Sequence, residues 1–326
     1  MLGIKRRDFV TLLGGAAAWP RAAWAQQPSL PVIGFVYSAV RDASRVTAFR
    51  RGLREVGFIE GRNVAVEYRW ADGDYRRVSD LVAELVHRPV TVIAASGVTA
   101  ARAAKAATTT IPIVFNTGGD PIEMGLVASL SKPDGNLTGV TTLGKVLVAK
   151  QVELMHELLP AKDAVAFVVN PNNAVAEDES AGAAAAAGAL GRKLMLVKAG
   201  SDAELDAAFT GAVGGGAGGL IVQTDPFLSS RRDSVVALAA RHAIPSLSPY
   251  LDYASAGGLL SYGSSVADGL RLVGNYAGRL LKGETPADLP VQQSTKIELI
   301  INLKTAKALG LALPTAILLR ADEVIE

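Results

Sequence analysis

The chain has 326 residues, 49% hydrophobic and 20% charged, a composition too apolar for disorder and long enough for about two domains. It has no cysteine, which excludes disulfide scaffolds, thiolate metal sites, iron–sulfur clusters and cysteine nucleophiles, and its three histidines (His87, His156, His242) leave little imidazole chemistry. The formal charge of +2 is concentrated at the start: four of 33 basic and one of 31 acidic side chains fall in the first 25 residues, so the remainder carries −1, too little for a nucleic-acid surface.

Residues 1–25 have a charged start, an apolar stretch from Phe9 to Trp19 and the small-residue ending Ala23-Trp24-Ala25. This is the layout of an export signal cleaved near Ala25, and its apolar stretch is too short to persist as a membrane anchor. The pair Arg6-Arg7 followed by Asp8-Phe9 is similar to a twin-arginine signal. The expected location of the mature chain is therefore periplasmic, without a lipid anchor because no cysteine follows.

From residue 32 onward the pattern alternates between short apolar runs and amphipathic segments. Strands are expected at 32–37, 64–70, 91–95 and 111–115, with helices at 42–56, 75–87 and 99–107 between them. A second set follows: strands at 164–169, 193–197, 219–223 and 244–247, with helices at 145–159, 175–190, 202–211 and 229–242. Strand and helix in alternation imply right-handed crossovers in parallel sheets. Three extended stretches, at 136–142, 258–263 and 289–295, stand outside the alternation. They favour two doubly wound α/β lobes joined by a three-stranded hinge over one eight-stranded barrel. The expected lobes are 28–141 plus 262–288 and 142–261 plus 289–326.

In open parallel sheets a ligand binds beyond the carboxyl ends of the strands, so the residues there are the candidates. They are polar in this chain: Tyr37-Ser38, Ser96-Gly97-Val98-Thr99, Asn116-Thr117-Gly118-Gly119-Asp120, Asn170-Pro171-Asn172-Asn173, Gln223-Thr224-Asp225-Pro226-Phe227 and Ser248-Pro249-Tyr250. The Ser96 to Thr99 turn opens a helix and suits a carboxylate, though either hydroxyl could instead cap that helix. Asp120 and Asp225 each precede a proline. Each fits a ligand ammonium or, equally, an Asx turn. Tyr37, Phe227 and Tyr250 offer an aromatic wall.

Enzyme and cofactor signatures do not assemble. The run Gly214 to Gly219 fits G-x-G-x-x-G by letter but precedes a strand, and reads as a flexible loop. No G-x-S-x-G, Walker A or H-E-x-x-H is present, so no cofactor or metal is expected. His87 and His242 fall at expected helix ends.

Lys5-Arg6-Arg7-Asp8-Phe9, Ile111-Pro112-Ile113-Val114-Phe115, Gly118-Gly119-Asp120-Pro121, Gly135-Asn136-Leu137-Thr138-Gly139-Val140, Val169-Asn170-Pro171-Asn172-Asn173, Arg231-Arg232-Asp233 and Ile301-Asn302-Leu303-Lys304-Thr305-Ala306 occur in this order. Together they resemble the ABC-transporter substrate-binding protein family whose relatives bind tryptophan and similar amino acids. The resemblance implies a type I periplasmic binding-protein fold, a receptor that closes on a small ligand, and delivery to an inner-membrane permease; the chain is expected to be a monomer. It places ligand contacts in the strand-end loops Ser96 to Thr99, Thr117 to Asp120, Asn170 and Thr224 to Phe227; with Tyr37, Ser38 and Tyr250 from the strand-end reading, the expected ligand-binding set is Tyr37, Ser38, Ser96, Gly97, Thr99, Thr117, Asp120, Asn170, Thr224, Asp225, Phe227 and Tyr250. Two other classes remain compatible with the residues: an exported enzyme using Asp120 and Asp225 as an acid/base pair, and a ligand-sensing partner of a signalling receptor.

Overall fold

The computed structural model describes residues 30–142, 144–160, 163–294 and 296–326; the expected export signal lies outside them. The elements in chain order are β1 (Val32–Tyr37), α1 (Ala43–Glu55), β2 (Ala65–Trp70), α2 (Val78–Val86), β3 (Val92–Ser96), α3 (Val98–Ala107), β4 (Ile113–Thr117) and β5 (Leu137–Thr141). Then come α4 (Gly144–Leu158), β6 (Ala164–Val169), α5 (Ala176–Ala189), β7 (Leu194–Lys198), α6 (Asp202–Gly214), β8 (Ala217–Val222), α7 (Pro226–Ser230), α8 (Arg232–Arg241), β9 (Ser246–Ser248) and α9 (Asp252–Ser255). The last are β10 (Leu260–Ser264), α10 (Val266–Leu281), β11 (Gln292–Gln293), β12 (Ile297–Asn302), α11 (Leu303–Ala308), α12 (Thr315–Leu318) and β13 (Glu323–Ile325).

The strands form two sheets, ordered β11-β5-β4-β3-β1-β2 and β13-β12-β10-β9-β8-β6-β7. Pairing is parallel in the first sheet, and in the second only β10 and β12 run antiparallel. The inner strands are buried on both faces, which is why they read as continuous apolar runs and not as alternating ones. In the first sheet the two-residue period sends Ile93, Ile113 and Phe115 toward α2 and α3. It sends Ile33, Phe35, Val92 and Val114 toward α1 and α10. The second sheet is covered in the same way, by α4 and α5 on one face and by α6 and α8 on the other. Each fully buried Phe or Ile contributes about 1.5–3 kcal/mol.

The three extended stretches become strands of the sheets: β5 and β11 in the first, β10 in the second. The chain changes lobe just after each of them. β10 lies wholly in the second sheet and β11 in the first, so the second and third crossings fall a few residues beyond the expected 261/262 and 288/289. Other elements also differ from expectation. The segment expected as one helix at 229–242 is two, α7 and α8, broken at Arg231, and Gly218 and Gly219 lie within β8, not in a loop. The helix expected from 75 begins as a 3₁₀ turn, Tyr75–Arg77.

Helix α10 was not expected from the pattern, although Ser265 caps it by accepting from the Asp268 N–H at 3.1 Å. Its interior glycines lower helix propensity, yet they are what lets it pack. A Cβ on Gly274 would lie 2.1 Å from the Phe49 carbonyl oxygen, and one on Gly52 of α1 would lie 1.8 Å from that of Arg271. The two helices therefore touch backbone to backbone.

Candidate ligand-binding cleft

Loops that follow the parallel strands of both sheets line a cavity between the lobes. The first lobe contributes Tyr37, Tyr75, Ser96, Gly97, Asn116 and Thr117 to its wall, and the second Asn173, Thr224, Pro226 and Tyr250. None of the residues lining it is charged.

Tyr37 ends β1 and is buried. Behind it stands Arg45, placed in the first turn of α1 because Asp42 caps that helix, accepting from the Ser44 and Arg45 N–H groups at 2.8 and 3.1 Å. Only 6% of Arg45 is exposed. Its Nη1 donates to the Tyr37 hydroxyl at 2.7 Å and its Nη2 to Ser229 Oγ of the second lobe at 2.8 Å. The guanidinium carbon lies 5.3 and 6.0 Å from the ring centroids of Tyr37 and Tyr250.

At the turn from β3 into α3, Gly97 is the N-cap with φ 97°, a conformation open to glycine, and no side chain caps the helix. Neither Ser96 nor Thr99 is thus spent as a cap. Ser96 is buried on the cavity wall, whereas Thr99 lies off it. Ser38 sits beneath Gly97, where a Cβ would come within 2.8 Å of its hydroxyl oxygen, and does not line the cavity. Thr117 lines it and donates to the Gly119 carbonyl at 3.2 Å.

Asp120 forms an Asx turn, its Oδ1 accepting from the Ile122 N–H at 2.7 Å, and stays off the wall. Asp225 is fully buried and caps α7 by accepting from the Leu228 N–H at 2.8 Å. It also accepts from Asn170 Nδ2 at 3.2 Å, Asn173 Nδ2 at 3.0 Å and the Tyr75 hydroxyl of the first lobe at 2.5 Å. These donors are all neutral. Burial raises its pKa, opposed by the hydrogen bonds, of which that from Tyr75 is the largest. Asp225 and Asn170 thus form a layer immediately behind the wall, and Phe227 lies off the wall, packed against Gly73. Neither Asp120 nor Asp225 lines the cavity.

A second carboxylate belongs to that layer. Glu179, on α5, is 3% exposed, and its Oε2 accepts from the Thr224 N–H at 3.2 Å. Burial pushes its pKa up to about 8, with the neighbouring Asp225 acting in the same direction.

Sequence reasoning missed Arg45, Tyr75 and Glu179. Arg45 and Glu179 precede buried residues by four, Phe49 in α1 and Ala183 in α5, so both sit on core-facing stripes. Tyr75 follows the carboxyl end of β2, an end left out of the strand-end search.

Among the described residues, three hydrogen bonds link the lobes: Arg45 to Ser229, Tyr75 to Asp225, and the Val40 N–H to Ser230 Oγ at 3.2 Å. All three acceptors belong to α7 or its cap.

A family model for ABC transporter substrate binding protein matches residues 29–325. The chain belongs to this family. The substrate-binding protein is 27% identical over 263 residues to a tyrosine-binding protein of Clostridioides difficile (strain R20291), covering 81% of this chain and 75% of that one. It is also similar to the crystal structure of an ABC domain in complex with L-Trp from Streptococcus pneumonia, at 25% identity and a TM-score of 0.82 over 91% of this chain and 100% of that one. The ligand-free, open structure of a substrate binding protein from Clostridium difficile, also 25% identical, superposes at 0.64 over 91% of this chain and 99% of that one. The lobes of the substrate-binding protein are thus arranged more like the L-Trp complex than like the open form, in keeping with the three hydrogen bonds between them. Its architecture is that of type I periplasmic binding proteins. Among the described residues, no helix is long and apolar enough to cross a membrane.

Proposed function

We propose that the protein is the extracytoplasmic, monomeric receptor of an ABC importer, and that it captures an aromatic α-amino acid between its lobes and hands it to a permease in the inner membrane. The observation that carries this reading is a cavity between the lobes with three tyrosines on its wall, a positive side on the first lobe and a side backed by carboxyl acceptors on the second. On the first-lobe side are the uncapped amino end of α3 and the guanidinium of Arg45. On the second-lobe side is the buried carboxyl of Asp225, with Glu179, protonated below about pH 8, beside it. That polarity matches a zwitterion. The ligand carboxylate takes the Gly97–Val98 turn with Ser96, the ammonium faces Thr224 and Asn173, and the ring packs among Tyr37, Tyr75 and Tyr250.

Capture here is binding without chemistry, and the closed state is selected because only it makes both sets of contacts. The tyrosine and tryptophan ligands of the relatives support the choice of an aromatic side chain. A thermal-shift panel of proteinogenic amino acids and small carboxylates tests it. Tyrosine, tryptophan or phenylalanine should raise the melting temperature in a concentration-dependent way, and a panel in which only non-aromatic solutes do so removes the assignment.

A further inference from the structure

The cavity has a neighbour. A groove between the lobes holds about 1330 Å³ of atom-free space, and its wall includes Asp72, Asp74, Asp202 and Glu204 against Arg76 and Arg231. Tyr75 lines both the groove and the cavity. Its ring is the partition between them.

The partition is held from both ends. At its root, Asp72 and Gly73 adopt left-handed φ angles of 57° and 83°, a bend unusual for aspartate. Asp72 accepts from Arg77 at 2.9 Å, and a Cβ on Gly73 would lie 3.2 Å from the Phe227 Cα of the second lobe. Asp74 then caps the turn that carries Tyr75, accepting from the Arg76 N–H at 3.1 Å. At its tip, the hydroxyl is held by Asp225, which three other groups fix in place. Swinging the ring aside would break the Asp225 hydrogen bond.

We propose that Tyr75 is a specificity-determining residue that limits the ligand to a single amino acid by closing the cavity at its ammonium end, and that its removal admits a ligand extended there, such as a dipeptide. The inference rests on the amino-acid reading above. The ammonium end is the one beside Tyr75 and Asp225, so the added residue would enter a groove with four carboxylates and two guanidiniums, which suits the displaced ammonium.

Isothermal titration of wild type, Tyr75→Ala and Tyr75→Phe with L-tyrosine, glycyl-L-tyrosine and L-tyrosyl-glycine tests this, alongside a ligand-free crystal structure of Tyr75→Ala. Wild type and Tyr75→Phe should exclude both dipeptides. Tyr75→Ala should shift the ratio of glycyl-L-tyrosine to L-tyrosine affinity by about tenfold or more, with no such gain for L-tyrosyl-glycine. Its cavity and groove should be continuous. An unchanged ratio, an equal gain for both dipeptides, or a cavity still closed off in Tyr75→Ala overturns the proposal. Failure of wild type to bind any aromatic amino acid would overturn the earlier reading instead, and the crystal structure would still decide whether Tyr75 is the partition.

Discussion

Arg45 of the first lobe donates Nη2 to Ser229 Oγ of the second at 2.8 Å, while Nη1 holds the hydroxyl of Tyr37 on the cavity wall at 2.7 Å. One buried guanidinium thus ties the closure of the lobes to the placement of an aromatic wall residue. A hydrogen bond to a charged group contributes about 1.5–3 kcal/mol. Removing the acceptor by Ser229→Ala should weaken the closed state more than either lobe. Affinity for an aromatic amino acid, measured by isothermal titration, should fall about tenfold, while the melting temperature of the ligand-free protein changes little. Unchanged affinity would remove the clasp.

Glu179 makes stability depend on pH. Its ordinary value of 4.5 applies to the unfolded chain, and burial raises it to about 8 in the folded one. Between those values the unfolded chain has lost the proton and the folded chain keeps it, so stability falls as pH rises, by up to about 1.4 kcal/mol per pH unit. The contribution is complete below pH 4.5 and gone above about pH 8. Asp225, also raised, adds a decline of the same sign. Urea unfolding at pH 5, 6, 7 and 8 should show a shallower decline for Glu179→Gln than for wild type. Parallel profiles would contradict the assignment.

The contact of α1 with α10 predicts a large cost for one methyl group. In Gly274→Ala the new carbon would meet the Phe49 carbonyl oxygen at 2.1 Å, too close for side-chain adjustment to relieve. Overpacking of this kind costs about 1–3 kcal/mol, read as a lower melting temperature. Gly283→Ala at the end of α10 meets no atoms within 4 Å, so its cost is limited to the strain of its φ of 98°. It separates backbone strain from steric conflict.

Trp70 is the only tryptophan beyond residue 24, and its ring centroid lies 6.0 Å from that of Tyr37. Ligand capture that reorders Tyr37 should change tryptophan emission in the chain without its first 25 residues. Emission that is constant while a ligand binds by titration would place Tyr37 outside the binding event.

The alternation of the chain was legible because βα units write their periods directly: Val32–Tyr37 as a buried run, and Val46, Phe49 and Leu53 as a helical stripe. What escaped notice was governed by distant contacts. The glycines of α10 weaken its local signal and make sense only beside Gly52 of α1. The Gly214–Gly219 run looked like a loop because β8 finds its stabilisation in its neighbours β6 and β9. In the cleft, the strand-end rule found Tyr37, Ser96, Gly97, Thr117, Thr224 and Tyr250, which line the cavity. It could not tell them from Asp225 and Asn170 one layer back, or from Asp120 and Thr99, because which strand-end side chain points inward depends on the opposing lobe. Arg45 and Glu179 were hidden for a related reason: a charged residue on a core-facing stripe is conspicuous only once its buried partners are known.

The most direct test of a zwitterion held between a positive, donor-rich side and an acceptor-rich side is isothermal titration of L-tyrosine beside tyramine, which lacks the carboxylate, and 3-(4-hydroxyphenyl)propionate, which lacks the ammonium. The account predicts that L-tyrosine binds at least about tenfold more tightly than either, since each truncated ligand leaves one side of the cavity uncompensated. Equal binding of all three, or preference for a truncated ligand, would contradict it.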